Sequence, residues 1–154
     1  MRDTRRQFLK SSGGLLAALT AAGFLRPGQL RAEEWNKAAF ESKKLEDVVK
    51  ALGGSAPAQS EAISIVAADI AENGAAVPIG IVAKLPDVQA IAIVIEKNPN
   101  VLAAVFDIPK GTHAEILTRV KMAETCNVYA LVKAGGKFYY TSKEIKVTLG
   151  GCGG

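Results

Sequence analysis

From residue 62 to residue 149 the chain is a succession of short aliphatic runs, each closed by residues that bend a backbone. That rhythm restricts the fold more than any other feature. The first run, 62–70, ends at Glu72-Asn73-Gly74; 77–85 follows with Pro78 near its start, and Asp87 opens 88–95, which closes at Asn98-Pro99-Asn100. Then come 101–108, 114–122 and 126–133, and Ala134-Gly135-Gly136-Lys137 turns the chain into 138–149. Runs this short and this rich in Ile and Val suit strands. Asn-Gly supplies the positive φ of tight turns, and a proline at the start of a strand costs no needed N–H. Seven such strands with regularly spaced turns predict a mainly β fold, an antiparallel β-sandwich.

Alternation inside the runs says which face is buried. In 114–122, Ala114, Ile116, Val120 and Met122 share one face and Glu115, Arg119 and Lys121 the other; in the last run Ile145, Val147 and Leu149 oppose Glu144, Lys146 and Thr148. One buried face per strand is what an antiparallel sheet presents. Ahead of the strands, residues 33–53 follow a helical period, with Leu45, Val48, Val49 and Leu52 three and four apart and Trp35, Ala39 and Phe40 upstream. Trp35 fits the docked face of that helix. Gly53-Gly54 is a helix stop, and 55–60, which holds Pro57, reads as a linker. The expected order is one N-terminal helix over 33–54, then a sandwich domain over 60–149.

Residues 1–32 read as an export signal. Arg5-Arg6 is followed by Gln7-Phe8-Leu9-Lys10 and a weakly apolar stretch, 13–25, interrupted by Gly14, Thr20 and Gly23. This is the twin-arginine pattern. A membrane anchor needs about twenty clean apolar residues, so no membrane insertion is expected. Cleavage is expected after Ala32, although Leu30 is larger than an ideal site prefers. Removing six bases and one acid from the 19 and 15 of the whole chain leaves 13 and 14, close to neutrality. The basic balance belongs to the leader, and nothing supports a nucleic-acid or anionic-membrane surface. Twin-arginine export carries folded proteins, which implies a cofactor inserted beforehand or a partner subunit carried along. One histidine, His113, no clustered cysteines and no acidic metal loop leave a cofactor or metal without ligands. A partner is therefore expected and a cofactor is not.

The chain closes with Gly150-Gly151-Cys152-Gly153-Gly154. Four residues without Cβ pack poorly as helix or strand interior, so 150–154 is expected to be a flexible arm. At about 3.3 Å per extended residue, an arm starting near Leu149 carries its sulfur roughly 10 Å from the domain. No charged side chain lies within five residues of Cys152, and the carboxylate of Gly154 disfavours the thiolate. Activation of that thiol has to come from a pocket that receives it. The other cysteine, Cys126, shares parity with Val128, Ala130 and Val132, which makes it a small core residue; the alternative is a disulfide to Cys152 that would pin the arm down. His113, after Gly111-Thr112, reads as a surface or capping histidine, and one histidine assembles no catalytic triad.

Taken together, the twin-arginine leader, Ile70-Ala71-Glu72-Asn73-Gly74, Val77-Pro78, Asn98-Pro99, Thr118-Arg119-Val120-Lys121-Met122-Ala123 and above all the terminal Gly-Gly-Cys-Gly-Gly resemble the SoxY family, the sulfur-carrier subunits of bacterial thiosulfate oxidation. The resemblance covers essentially the whole chain. It implies an immunoglobulin-like periplasmic domain that pairs with a SoxZ subunit lacking its own leader. It implies that Cys152 is the covalent attachment point for substrate, on an arm of Gly150, Gly151, Gly153 and Gly154. Partners implied are a haem protein that conjugates thiosulfate, a hydrolase that releases sulfate and, in some organisms, a molybdenum sulfane dehydrogenase. Such a chain is a carrier and not an enzyme, and a disulfide-linked homodimer is its expected idle state. Cys126 has no assigned match in the family and leaves a thiol side reaction open.

Two other classes compete. A secreted immunoglobulin-like structural module would use Cys152 for an intermolecular disulfide and would carry no sulfur adduct. A thiol oxidoreductase would want a Cys-x-x-Cys pair or a base beside the thiol, and the sequence has neither.

Overall fold

The structure, a computed structural model, describes residues 36–149; Arg5, Arg6, Trp35 and the arm 150–154 with Cys152 lie outside the described residues. Two short helices stand where one was expected, α1 (Lys37–Phe40) and α2 (Leu45–Ala51). Asn36 caps α1 by accepting the Ala39 N–H on its Oδ1 at 3.1 Å. The break between them is built by specific bonds. Ser42 donates its hydroxyl to Ala38 O at 2.9 Å, and its carbonyl accepts the Val101 N–H at 3.3 Å. Lys43 binds Pro99 O and the Asn100 side chain, so the turn at 98–100 holds the chain out of helix. α2 stops as Gly53-Gly54 anticipates. Gly53 has φ +79°, its N–H donates to Lys50 O at 2.9 Å and the Gly54 N–H donates to Val49 O at 2.8 Å, the paired bonds of a Schellman end.

Nine strands follow among the described residues: β1 (Ala58–Gln59), β2 (Ile63–Val66), β3 (Ile70–Ala71), β4 (Val77–Ala83), β5 (Val88–Ile95), β6 (Leu102–Asp107), β7 (Glu115–Val120), β8 (Cys126–Ala134) and β9 (Lys137–Val147). The larger sheet has the order β1-β9-β8-β5-β6, with β3 also on β9; the smaller is β2-β4-β7. The main pairings are antiparallel, and the two-residue β1 and β3 add to β9 in parallel. The run 62–70 is therefore not one strand. It gives β2 to the smaller sheet and then crosses back to the larger as β3, and Lys143 of β9 braces the crossing through Ala67 O and, at 2.9 Å, the Asp69 carboxylate. Gly135 (φ +54°) and Gly136 (φ +75°) form the two-residue turn between β8 and β9, with positive φ at both central positions as a type I′ hairpin requires.

Ile79 and Ile81 of β4 pack between the sheets against Ile91, Ile93 and Ile95 of β5, Val128, Ala130 and Val132 of β8, and Ile145 of β9. A second cluster lies on the other face of the larger sheet, where Ala39, Val48 and Val49 of the helices cover Ala92, Val94, Leu131 and Phe138. From Ile91 to Ile95 β5 is thus buried on both faces, which is why that part of its sequence is a continuous apolar run with no alternation. A Cβ on Gly54 would overlap the Phe138 ring, so that glycine also lets α2 approach the sheet closely.

Candidate functional site

With Cys152 outside the described residues, what the structure places is the segment that leads up to residue 150. β9 is the longest strand, with 11 residues. β8 pairs with it along one side through nine residue pairs from Ala134↔Lys137 to Cys126↔Ile145. On its other side Ala58 and Gln59 pair with Tyr139 and Tyr140, and Ile70 and Ala71 with Lys146 and Val147. Both ends of β9 are therefore hydrogen-bonded on two sides.

Beyond Val147 the backbone remains tied down. The Val147 N–H donates to Thr125 Oγ1 at 2.9 Å, the Thr148 N–H to Ala71 O at 3.1 Å, and Thr148 Oγ1 to Glu72 O at 2.9 Å. Gly74 N–H donates to Leu149 O at 2.7 Å, and the Met122 N–H donates to Gly74 O at 2.7 Å. This clasp joins the end of β9 to the turn after β3 and to the β7–β8 connection. Local chemistry shapes the turn: Asn73 Oδ1 accepts the Ala75 N–H at 2.8 Å, an Asx turn that presents the Gly74 backbone to β9. Asn98 steadies the β7–β8 side, accepting the Ala123 N–H at 3.0 Å and donating to Lys121 O at 2.8 Å. Asn73-Gly74 and Asn98-Pro99 were legible as turns, but their service to the end of β9 was not, because nothing in sequence says which backbone a turn will face.

Cys126 is the first residue of β8, opposite Ile145, 5% exposed and free. Burial pushes its thiol pKa up; a hydrogen bond with the Lys97 backbone opposes that, and the charges of Glu96 and Glu124 add to it. Its place in the cluster between the sheets makes Cys126 a core residue. His113 is exposed in the loop after β6, where Thr112 closes a turn by donating its hydroxyl to Pro109 O at 2.6 Å. Among the described residues no group of three or more His, Cys, Asp or Glu side chains is placed to hold a metal ion. Among the same residues, no helix is long and apolar enough to cross a membrane.

These elements define a small immunoglobulin-like β-sandwich whose longest strand is clasped at its end and leads directly into a cysteine-bearing terminus. The family profile described as sulfur oxidation protein SoxY matches residues 48–152, a span that runs through Cys152. Among solved structures, the sulfur carrier protein SoxY from Chlorobium limicola f thiosulfatophilum is similar at 40% sequence identity and a TM-score of 0.62, over 69% of this chain and 97% of that one. The chain belongs to the SoxY family. A superoxide reductase (neelaredoxin) from Ignicoccus hospitalis matches at 16% identity and a TM-score of 0.49, over 56% of this chain and 80% of that one. No curated protein sequence matches the chain.

Proposed function

We propose that this chain is a periplasmic sulfur carrier that holds thiosulfate-derived intermediates covalently on Cys152 and hands them to the enzymes of thiosulfate oxidation. The observation that carries the reading is the family match through Cys152, joined to a β9 whose end is clasped immediately before the arm. Residues 1–32 act as a twin-arginine leader read through Arg5 and Arg6, leaving 33–154 as the mature chain.

The chemistry is a relay. Cys152 thiol and thiosulfate form Cys152–S–S–SO₃⁻ with release of one proton and two electrons, and the haem partner takes the electrons. Water then attacks the terminal sulfur on a hydrolase, giving sulfate, two protons and Cys152–S–S⁻, whose outer sulfur a molybdenum enzyme oxidises where one exists. The carrier contributes the sulfur atom and its delivery, and glycines at 150, 151, 153 and 154 let the thiol enter channels too narrow for ordinary side chains. Tethering also raises the concentration of intermediate at each enzyme above what free diffusion supplies. A SoxZ-like subunit without a leader accompanies the folded chain through the export route.

Intact-mass spectrometry of the chain isolated from the periplasm tests this directly. Mass additions of sulfur or thiosulfate that vanish in Cys152→Ser, with folding retained, are the expected outcome. Protein that is only disulfide-linked, with no sulfur-bearing adduct during growth on thiosulfate, would refute it and favour the structural module.

A further inference from the structure

The smaller sheet has an open edge. Its order β2-β4-β7 leaves β7 paired on one side only. The Ala83 N–H donates to Ala114 O, and the pairs Ile81↔Ile116, Ile79↔Thr118 and Val77↔Val120 continue in steps of two, so the even-numbered residues of β7 turn their backbone groups to β4. The N–H and C=O groups of Glu115, Leu117 and Arg119 point to the open side, and among the described residues they have no hydrogen-bond partner. All three side chains are exposed, Leu117 at 81%, which makes it the most exposed large hydrophobic residue among those described. Leu117 has an acid two residues before it and a base two residues after. Reversing the strand's direction exchanges Glu115 with Arg119 and leaves Leu117 where it was.

We infer that β7 is a self-complementary docking edge on which a second copy of this chain adds antiparallel through its own β7, across a two-fold axis at Leu117. In that register each Leu117 exchanges both backbone hydrogen bonds with the partner's Leu117, and each Glu115 lies directly opposite the partner's Arg119 in backbone and in side chain. The contact is isologous and closes on itself, as two-fold interfaces do. A charged edge whose only task is to repel neighbours carries like charges, typically lysines. One acid and one base placed symmetrically about an apolar residue instead select an antiparallel copy. The contact is small, so association belongs in the micromolar range and differs from any disulfide through Cys152. It stands whether or not Cys152 carries sulfur.

Sedimentation velocity of the full mature chain under reductant, from about 1 μM to about 1 mM, tests it. A concentration-dependent dimer is expected. Glu115→Arg and Arg119→Glu, each alone, set two like-charged pairs across the axis and should weaken it at least about tenfold. An equimolar mixture of those two variants restores two opposite-charge pairs and should dimerise again, as should the double reversal, which keeps the native composition. A misfolded chain could not recover by mixing, and far-ultraviolet circular dichroism identifies one. A wild-type chain that stays monomeric throughout overturns the inference and leaves the edge to a different partner or to solvent. So do single variants that dimerise like wild type, or folded variants that stay apart when mixed.

Discussion

Ile145→Ala removes the main apolar anchor near the end of β9. Ile145 is 0% exposed, faces Cys126 across the β8–β9 pair and belongs to the cluster between the sheets. The substitution deletes three carbons, at about 0.8 kcal/mol for each buried methylene, or about 2.4 kcal/mol. The cavity left behind brings the cost to about 3.5 kcal/mol, inside the range of about 2–5 measured for such changes. Unfolding entropy near 2.1 cal/mol/K per residue over the 114 residues of 36–149 is about 0.24 kcal/mol/K, so Tm should fall by about 15 °C. The neighbouring Lys146→Ala removes an exposed side chain and should cost under about 0.5 kcal/mol, or roughly 2 °C. Calorimetric melts of both variants, reduced, decide it. A drop below about 5 °C for Ile145→Ala, or equal drops for the two, would refute the placement of Ile145 in the inner face of β9.

Gly54→Ala should destabilise by about 1–3 kcal/mol in denaturant titrations, since its Cβ would meet the Phe138 ring and stand 2.9 Å from Val49 Cγ1; Gly80→Ala, whose nearest contact is 3.3 Å from Val66 Cβ, should cost less. Cys126 has a folded pKa raised above its ordinary 9.0, so its contribution is complete below pH 9.0 and is lost as pH rises through the folded value. Urea midpoints should therefore fall more between neutral and strongly alkaline pH in the native chain than in Cys126→Ala. Asp69 is the opposite case: the hydrogen bond and charge of Lys143 hold its pKa below 3.8, so its contribution is present above that value and fades as pH falls through the folded one. The Asp69→Asn penalty in Tm seen at neutral pH should vanish in strong acid.

Much of this architecture was legible because burial imposes a pattern. The run 88–95 coincides with β5, and the parity that put Cys126 beside Val128, Ala130 and Val132 is the parity of the inner face of β8. Gly53-Gly54 and Gly135-Gly136 do what their lack of a Cβ permits. What escaped was set by distant partners. The helix over 33–54 breaks because Ser42 and Lys43 find partners at 99–101, and 62–70 divides because its two ends belong to different sheets. Local sequence records neither fact. For the site, Gly150, Gly151, Cys152, Gly153 and Gly154 lie outside the described residues, and the bonds from Thr148, Gly74 and Met122 that fasten the chain just before them join segments far apart in sequence, which local pattern does not record.

Among the described strands, β9 is also the last to be made. β1 and β3 lie near the start of the described chain, yet among the described residues they pair with β9 alone, through pairs such as Ala58↔Tyr139 and Ile70↔Lys146. Contacts between residues so far apart form late, after the entropy of closing a long loop has been met. A nascent chain halted before residue 137 would have neither the strand that closes the larger sheet nor anything to receive β1 and β3. A product cut short before β9 would therefore lack both Cys152 and a finished sandwich, and would be an easy target for proteolysis.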